Sequence, residues 1–351
     1  MKNIRRRSES EMKSSLFGVS TKKPRRAPKD LALKSHQCLE RVINKCPLEK
    51  DQESLAKYFQ ETRAILHGDG THDLDPKMIQ ELVEECMKES IPWMISQGLP
   101  MLEFEARKDA AATYNGLVRA KDLETGRYKV AEELSERNDG EELEGLILGY
   151  EKQSSALAYG AMLREVVRHE KVLEKVLRRE SFLKFFEYMQ CENFEIASDA
   201  MASFRECLTR HKDIVARFLI GDAYEGFFEK FNDLLERGNY VCKRQSLKLL
   251  GEILLDRASG EVMMKYISKA ENLCLMMNLL RDDAKSIQYE AFHVFKVFVA
   301  NPNRLPAVTS ILEANKEKLM HYLSKFHEER DKDDAQFAEE RQTLIDVLQG
   351  I

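Results

Sequence analysis

Histidine is the side chain best suited to acid–base catalysis near neutral pH, and three histidines fall in segments with helical periodicity. They are His169, His211 and His293. The sequence contains neither a G-x-S-x-G turn that would carry a nucleophile nor a G-x-x-x-x-G-K-[ST] or G-x-G-x-x-G phosphate loop. His169 and His211 recur at equivalent positions of a repeated pattern, which favours capping of helix C-termini over chemistry. We therefore expect a protein without enzymatic activity.

Carboxylates are the usual calcium ligands, and Asp69, Asp73 and Asp75 are close enough in sequence to suggest a calcium loop. An EF-hand loop that began at Asp69 would need glycine at its sixth position and glutamate at its twelfth. Leu74 and Gln80 occupy those positions. The sequence therefore excludes an EF-hand here, and these acids are expected to serve as turn and helix-cap residues.

Seven cysteines are scattered along the chain without a C-x-x-C pair, so neither a zinc site nor a dithiol redox motif is predicted. Free thiols that are buried or half-buried in a reducing compartment are the expected state. No apolar stretch reaches the roughly 18 residues of a membrane span, and no apolar signal-peptide core follows the N-terminus. The sequence thus predicts a cytoplasmic protein without a metal or another cofactor.

Charge is unevenly distributed between the two ends of the chain. The net charge is −5, yet residues 1–30 carry +7, which leaves −12 on residues 31–351. Such an acidic body is not expected to follow a nucleic-acid backbone. The basic residues 1–30 offer little apolar surface and are predicted to form a disordered tail. An alternative for this tail is a nuclear-import signal or a patch that binds an anionic surface.

Helical units repeat along the remainder of the chain. In the stretch 239–303, apolar side chains recur at intervals of three and four residues, as Leu247, Leu250 and Leu254 illustrate. The pattern A-x-x-x-x-A-x-[LF]-R-E begins at Ala156 and again roughly forty residues later. Units of this length predict an all-α solenoid of the armadillo or HEAT type, with a concave face for a large partner. Residues 31–345 are assigned to this domain, followed by a short C-terminal end.

A candidate binding face lies on the first helix of this stretch. Arg244 and Lys248 are four residues apart and therefore share a helix face, away from the leucine stripe. The alternative for such a pair is a solvated charged face without a partner. Tyr240, close by, is either a binding residue or a packing residue.

The stretch 239–303 closely resembles the calcium-binding protein 39 family, also called the mouse protein 25 scaffold. The resemblance continues at 194–212 and 162–170, with a weaker match at 17–31, and it is poorest at 101–149. The resemblance implies a concave face that grips a pseudokinase or a sterile-twenty-type kinase. The family's binding positions there correspond to Phe194, Tyr240 and Arg244 of this sequence.

The same resemblance implies a second site, a hydrophobic pocket that accepts a Trp-Glu-Phe motif at the C-terminus of the partner. Met277 corresponds to a residue of that pocket, with Lys248 and Arg257 as partners for acidic groups. Methionine suits an adaptable aromatic pocket, whereas Met276 is expected to belong to the core.

The function that these observations predict is a non-catalytic scaffold that stabilises the active conformation of a kinase or pseudokinase. The alternative is a general solenoid adaptor that binds linear peptides in transport or complex assembly. A third hypothesis, nucleic-acid binding through the basic tail, would require an affinity that falls steeply with salt.

Overall fold

Every regular element that the structure describes is helical. The structure, a computed structural model, describes residues 26–68, 74–330 and 332–351. The α-helices in these ranges are α1 (Pro28–Ile43), α2 (Asp51–His67), α3 (Pro76–Lys88), α4 (Ile91–Gly98), α5 (Phe104–Arg119), α6 (Lys129–Glu136), α7 (Glu141–Leu148), α8 (Ala156–Val166), α9 (Glu170–Leu177), α10 (Phe185–Tyr188), α11 (Phe194–Thr209), α12 (Lys212–Ile220), α13 (Tyr224–Arg237), α14 (Tyr240–Leu254), α15 (Gly260–Ile267), α16 (Ala270–Leu279), α17 (Lys285–Ala300), α18 (Pro306–Ser324) and α19 (Ala335–Gly350). Two of the short 3-10 segments between them are used below, Glu180–Lys184 and Arg257–Ser259.

Helix starts follow local sequence signals. Proline stands at the first position of α1, α3 and α18, where its missing N–H costs nothing and its fixed φ suits a helix. Asn193 and Asn239 precede α11 and α14, and their side chains accept hydrogen bonds from backbone N–H groups of the first turn. These caps satisfy donors that a helix end would otherwise leave free.

The helices stack in three rows, which we call A, B and C. In row A, each helix packs on its predecessor in the order α2, α5, α8, α11, α14, α17 and α19. Row B consists of α6, α9, α12 and α15. Row C consists of α4, α7, α10, α13, α16 and α18, with the segment Glu180–Lys184 joining α7 to α10. From α5 to α16, one helix from each row makes a unit, and α1 packs against α2, α3 and α4 at the N-terminal end.

Aromatic side chains join successive units in the centre of the stack. Phe204 on α11 contacts Phe186 at a ring-centroid distance of 5.2 Å and Phe227 on α13 at 6.1 Å. Phe182 and Phe185 complete the cluster around Phe204. All five rings are buried. Each unit therefore buries its apolar surface against its neighbours, as a solenoid requires.

The predicted all-α solenoid is confirmed, and three helices in a unit specify the armadillo arrangement rather than the two-helix HEAT arrangement. The poorly matching stretch 101–149 contains the regular helices α5, α6 and α7. The helical domain begins at Pro28, before the predicted boundary at Leu31, and α19 continues through Gly350 without a break at residue 345. Most of the predicted tail, residues 1–25, lies outside the described residues.

Candidate row-A interface

Ion pairs link neighbouring row-A helices along most of the row. Arg164 on α8 pairs with Asp199 on α11 at 2.8 Å, and Arg205 on α11 pairs with Glu252 on α14 at 2.7 Å. Equivalent pairs join α2 to α5, α5 to α8, and α17 to α19, and they are Arg63–Asp109, Arg119–Glu165 and Lys296–Glu340. The cations in this series therefore have intramolecular partners.

The series is interrupted between α14 and α17. Arg244 and Lys248 are exposed on α14, and neither has an ion-pair or hydrogen-bond partner among the described residues. Glu290 on α17 lies within reach of their electrostatic influence. Burial raises the pKa of Glu290, and the positive charges of Lys248 and Arg244 oppose that rise. The two cations are therefore available to an external carboxylate or carbonyl oxygen.

Exposed aromatic side chains flank these cations. Phe194 and Tyr240 are the first residues of α11 and α14, and both are exposed. The Tyr240 hydroxyl lies 2.8 Å from the hydroxyl of Ser286 at the start of α17. Because Tyr240 and Arg244 are four residues apart on α14, they share one helix face. The structure thus places four exposed side chains on two adjacent row-A helices, and we call this surface the row-A face or row-A interface. They are Phe194, Tyr240, Arg244 and Lys248.

The residues assigned to the second site lie on three different elements. Met277 is half-buried on α16 in row C, whereas Met276 is fully buried in the core, as predicted. Lys248 is on α14, and Arg257 lies in the segment between α14 and α15. Arg257 borders a groove between row-B helices whose lining contains neither Met277 nor Lys248. The grouping of these three side chains around one peptide stays a prediction.

The two equivalent histidines bond to the backbone at or just beyond the ends of helices of the preceding units, and they lie in turns and not inside helices. His211 Nε2 lies 2.9 Å from the carbonyl oxygen of Arg168, just beyond α8, and donates to it. His169 makes the corresponding hydrogen bond to the backbone of Val118 in the last turn of α5. Burial lowers the pKa of His169, so the neutral form is favoured near pH 7. These contacts explain both histidines structurally.

Of the three aspartates at positions 69, 73 and 75, only Asp75 lies among the described residues. Asp69 and Asp73 lie outside the described residues. Asp75 caps α3, accepting a hydrogen bond from the Lys77 backbone N–H at 3.0 Å. Across the ranges given above, no group of three His, Cys, Asp or Glu side chains is placed to hold a metal ion.

Two cysteines differ from the expected burial. Cys46 and Cys274 are exposed, while the other five are buried or half-buried, and all seven are free thiols. The helices of the described chain also include none with the length and apolar character that a membrane crossing demands.

Sequence reasoning missed the contribution of α17 to this face. Ser286 contacts Tyr240, and Glu290 lies in the field of Arg244 and Lys248. Both residues lie about one repeat unit after α14 in the sequence, and they come close to it in space because successive units stack. Only the repeat spacing in the sequence could have predicted this proximity.

The three-row stack and its exposed row-A face define an armadillo-type helical-repeat protein. The chain belongs to the Mo25-like family, whose family model matches residues 17–351. The basic residues 1–16 precede that match.

Relatives in animals, fungi and algae resemble most of this chain. It is 43% identical over 305 residues to "Calcium-binding protein 39-like" of Mus musculus, covering 86% of this chain and 88% of the mouse protein. It is 42% identical over 306 residues to "Mo25-like protein" of Schizosaccharomyces pombe, covering 86% and 90%. It is 41% identical over 311 residues to "Degreening-related gene dee76 protein" of Auxenochlorella protothecoides, covering 89% and 95%. The chain therefore contains nearly the full length of these relatives.

Proposed function

We propose that this protein is a non-enzymatic scaffold that binds a sterile-twenty-type kinase or pseudokinase through the row-A face. The observation that carries the proposal is the pair Arg244 and Lys248, which have no ion-pair or hydrogen-bond partner among the described residues, in a row where ion pairs close the other helix junctions. Phe194 and Tyr240 add exposed aromatic surface on both sides. Aromatic and arginine side chains are the usual centres of protein interfaces. The expected location of the complex is the cytoplasm.

The scaffold acts on the kinase by shifting a conformational equilibrium. A binding partner favours the active state only to the extent that it binds that state more tightly than the inactive one. A folded stack of helices supports this discrimination, because packing within the stack arranges its exposed side chains before the kinase arrives. No group on the scaffold needs to enter the kinase active site for this to happen.

Purified kinase domains provide the test. Sterile-twenty-type kinase and pseudokinase domains are titrated with the chain, and affinity and phosphorylation of a generic substrate are both measured. We expect micromolar or tighter binding to at least one domain and increased activity of a catalytically competent kinase. The general adaptor is the competing function, and it predicts that extended peptides bind to row A while all the kinase domains fail. Binding without any change in kinase activity would retain the scaffold but contradict activation.

We also propose that Met277 contributes to a pocket for a C-terminal Trp-Glu-Phe motif of the partner, assisted by Lys248 and Arg257. Half-burial of Met277 against the core leaves part of its flexible thioether available to an aromatic ring. The positive charges of Lys248 and Arg257 suit the glutamate and the terminal carboxylate of such a peptide.

Replacing Met277 with alanine is expected to lower the affinity for a peptide ending in Trp-Glu-Phe by about tenfold, because the contact between the thioether and an aromatic ring is lost. The free energy of unfolding should change by less than about 1 kcal/mol, since the side chain is only half-buried. Fluorescence anisotropy of the labelled peptide and urea unfolding measure the two quantities.

Met276→Ala is the matched control on the adjacent residue. Its side chain is fully buried, so truncation should destabilise the fold by about 2–5 kcal/mol. Peptide binding by the fraction that remains folded should be little affected. The pocket assignment is wrong if Met277→Ala unfolds the protein as severely as Met276→Ala does.

A further inference from the structure

Two free thiols lie where successive units meet, at the starts of two helices. Cys191 lies in the turn 189–193 that precedes α11, and Cys242 is the third residue of α14. Cys191 is half-buried and Cys242 is buried. The two cysteines are about one unit apart in sequence, which is the separation of neighbours in the stack.

Both thiols form hydrogen bonds to the same turn. The Cys242 thiol donates to the carbonyl oxygen of Met189, at a sulfur-to-oxygen distance of 2.9 Å. The Cys191 thiol donates to the carbonyl oxygen of Asn193 at 3.4 Å. The sulfur on α14 therefore contacts the first residue of the turn that carries the other sulfur.

Backbone geometry limits the distance between the two cysteines. Cys191 follows Met189 by two residues, so its Cα atom lies at most about 7 Å from the Met189 carbonyl oxygen and about 10 Å from the Cys242 sulfur. The chain turns here, because the backbone N–H of Cys191 donates to the carbonyl oxygen of Tyr188 at 3.3 Å, and this shortens the distance. A disulfide needs a Cα separation of about 4.4–6.8 Å. The turn is not helical, so it can move toward α14 without breaking a helix.

The two thiols differ in their readiness to react. Burial raises the pKa of the Cys242 thiol, and the neighbouring Cys191 raises it further, so Cys242 stays protonated near neutral pH. Cys191 is the more accessible of the two. An oxidant therefore reaches the Cys191 sulfur first, and Cys242 lies beside it as the second thiol.

We propose that Cys191 and Cys242 form a reversible disulfide when the protein meets a hydroperoxide. The Cys191 sulfur attacks the O–O bond of hydrogen peroxide, which gives a sulfenic acid and one water. The Cys242 sulfur then displaces the hydroxyl group as a second water, and the S–S bond forms. The two thiols together lose two electrons and two protons, and the peroxide is reduced to two waters.

This bond would join two units that otherwise only pack on each other. Cys191 lies three residues before Phe194, and Cys242 lies two residues after Tyr240. The disulfide therefore holds the starts of α11 and α14 together. In a reducing compartment such a bond is transient and responds to oxidant, as is usual for redox-sensing cysteines. The inference does not depend on the identity of the partner that binds the row-A face.

The test uses the full chain with Cys46→Ser and Cys274→Ser, because these two exposed thiols would otherwise link separate copies. The chain is treated with hydrogen peroxide and digested without reduction. Mass spectrometry should find one linked pair of peptides, containing Cys191 and Cys242 and lighter by two hydrogen atoms than the separate peptides. The midpoint of urea unfolding should move to a higher urea concentration, because the closed loop restricts the unfolded chain. Dithiothreitol should reverse both changes.

Adding Cys191→Ser gives the matched control. Serine retains a donor for the Asn193 carbonyl oxygen, so the reduced protein should unfold at the same urea concentration as its parent. Peroxide should then produce neither the linked peptides nor the shift in midpoint. The disulfide is wrong if dimedone traps Cys191 as a sulfenic acid that never proceeds further, or if Cys191 is found linked to another cysteine. A Cys191–Cys242 link that leaves the midpoint unchanged would overturn its role in holding the two units together.

Discussion

Replacing Arg244 with alanine is expected to weaken kinase binding by at least about thirtyfold, which corresponds to ~2 kcal/mol. The side chain is exposed on α14 and has no partner of its own among the described residues. Its guanidinium can make two parallel hydrogen bonds to a carboxylate of the docked kinase, a geometry that lysine cannot reproduce. Kinase activation should fall in parallel, because a scaffold that does not dock cannot shift the active-state population.

The melting temperature of Arg244→Ala should stay near that of the wild type, since Arg244 forms no ion pair with any described residue. Arg217→Ala is a suitable control, because Arg217 is an exposed arginine on α12 in row B and its removal changes net charge equally. Isothermal titration calorimetry and a thermal melt of each variant are sufficient. Normal kinase binding combined with early melting of Arg244→Ala would mean that this arginine supports the fold, and the interface would have to be placed elsewhere.

Replacing Phe204 with alanine is expected to reduce the free energy of unfolding by about 3–5 kcal/mol. The ring is fully buried and contacts Phe182, Phe185, Phe186 and Phe227. Its loss leaves a cavity where row A meets row C and also removes several aromatic contacts. Denaturant unfolding followed by far-ultraviolet circular dichroism measures the change.

Phe194→Ala is the matched control on the same helix. Phe194 is the same residue type but is mostly exposed, so its truncation should change the stability by no more than about 0.5 kcal/mol. Kinase binding should show the opposite ranking, with Phe194→Ala impaired and folded Phe204→Ala competent. Equal destabilisation by the two variants would show that Phe194 is packed in solution, and its place in the row-A interface would be withdrawn.

The fold could be predicted from the sequence because each helix of a solenoid is specified by residues close to one another in the chain. The leucine stripe of α14 and the asparagine before Tyr240 predict a helix without reference to the rest of the chain. The number of helices in a unit was harder to predict from the sequence, because row C includes helices as short as α10, Phe185–Tyr188. A single turn of helix has too few residues to show periodicity.

The candidate site could be predicted only in part from the sequence, for a different reason. Spacing alone places Arg244 and Lys248 on one face of α14. Whether they form ion pairs depends on residues about one unit away. In the described part of the chain those residues include Glu252 as the partner of Arg205, but no acid within ion-pair distance of Arg244. The exposure of the Phe194 side chain could not be predicted from its residue type either, because phenylalanine at a helix start is ordinarily a packing residue.

The nearest-neighbour stacking of row A has a consequence for the dynamics of the complex. Each row-A helix packs mainly on the one before and the one after it, so in the free protein the units can open nearly independently, as in other linear arrays. A partner held at both α11 and α14 would add a second connection between units that the chain itself joins only in series. Opening of α11 or α14 would then require release of the partner as well. Amide hydrogen exchange in these two helices should therefore slow on binding more than that in α2 or α19.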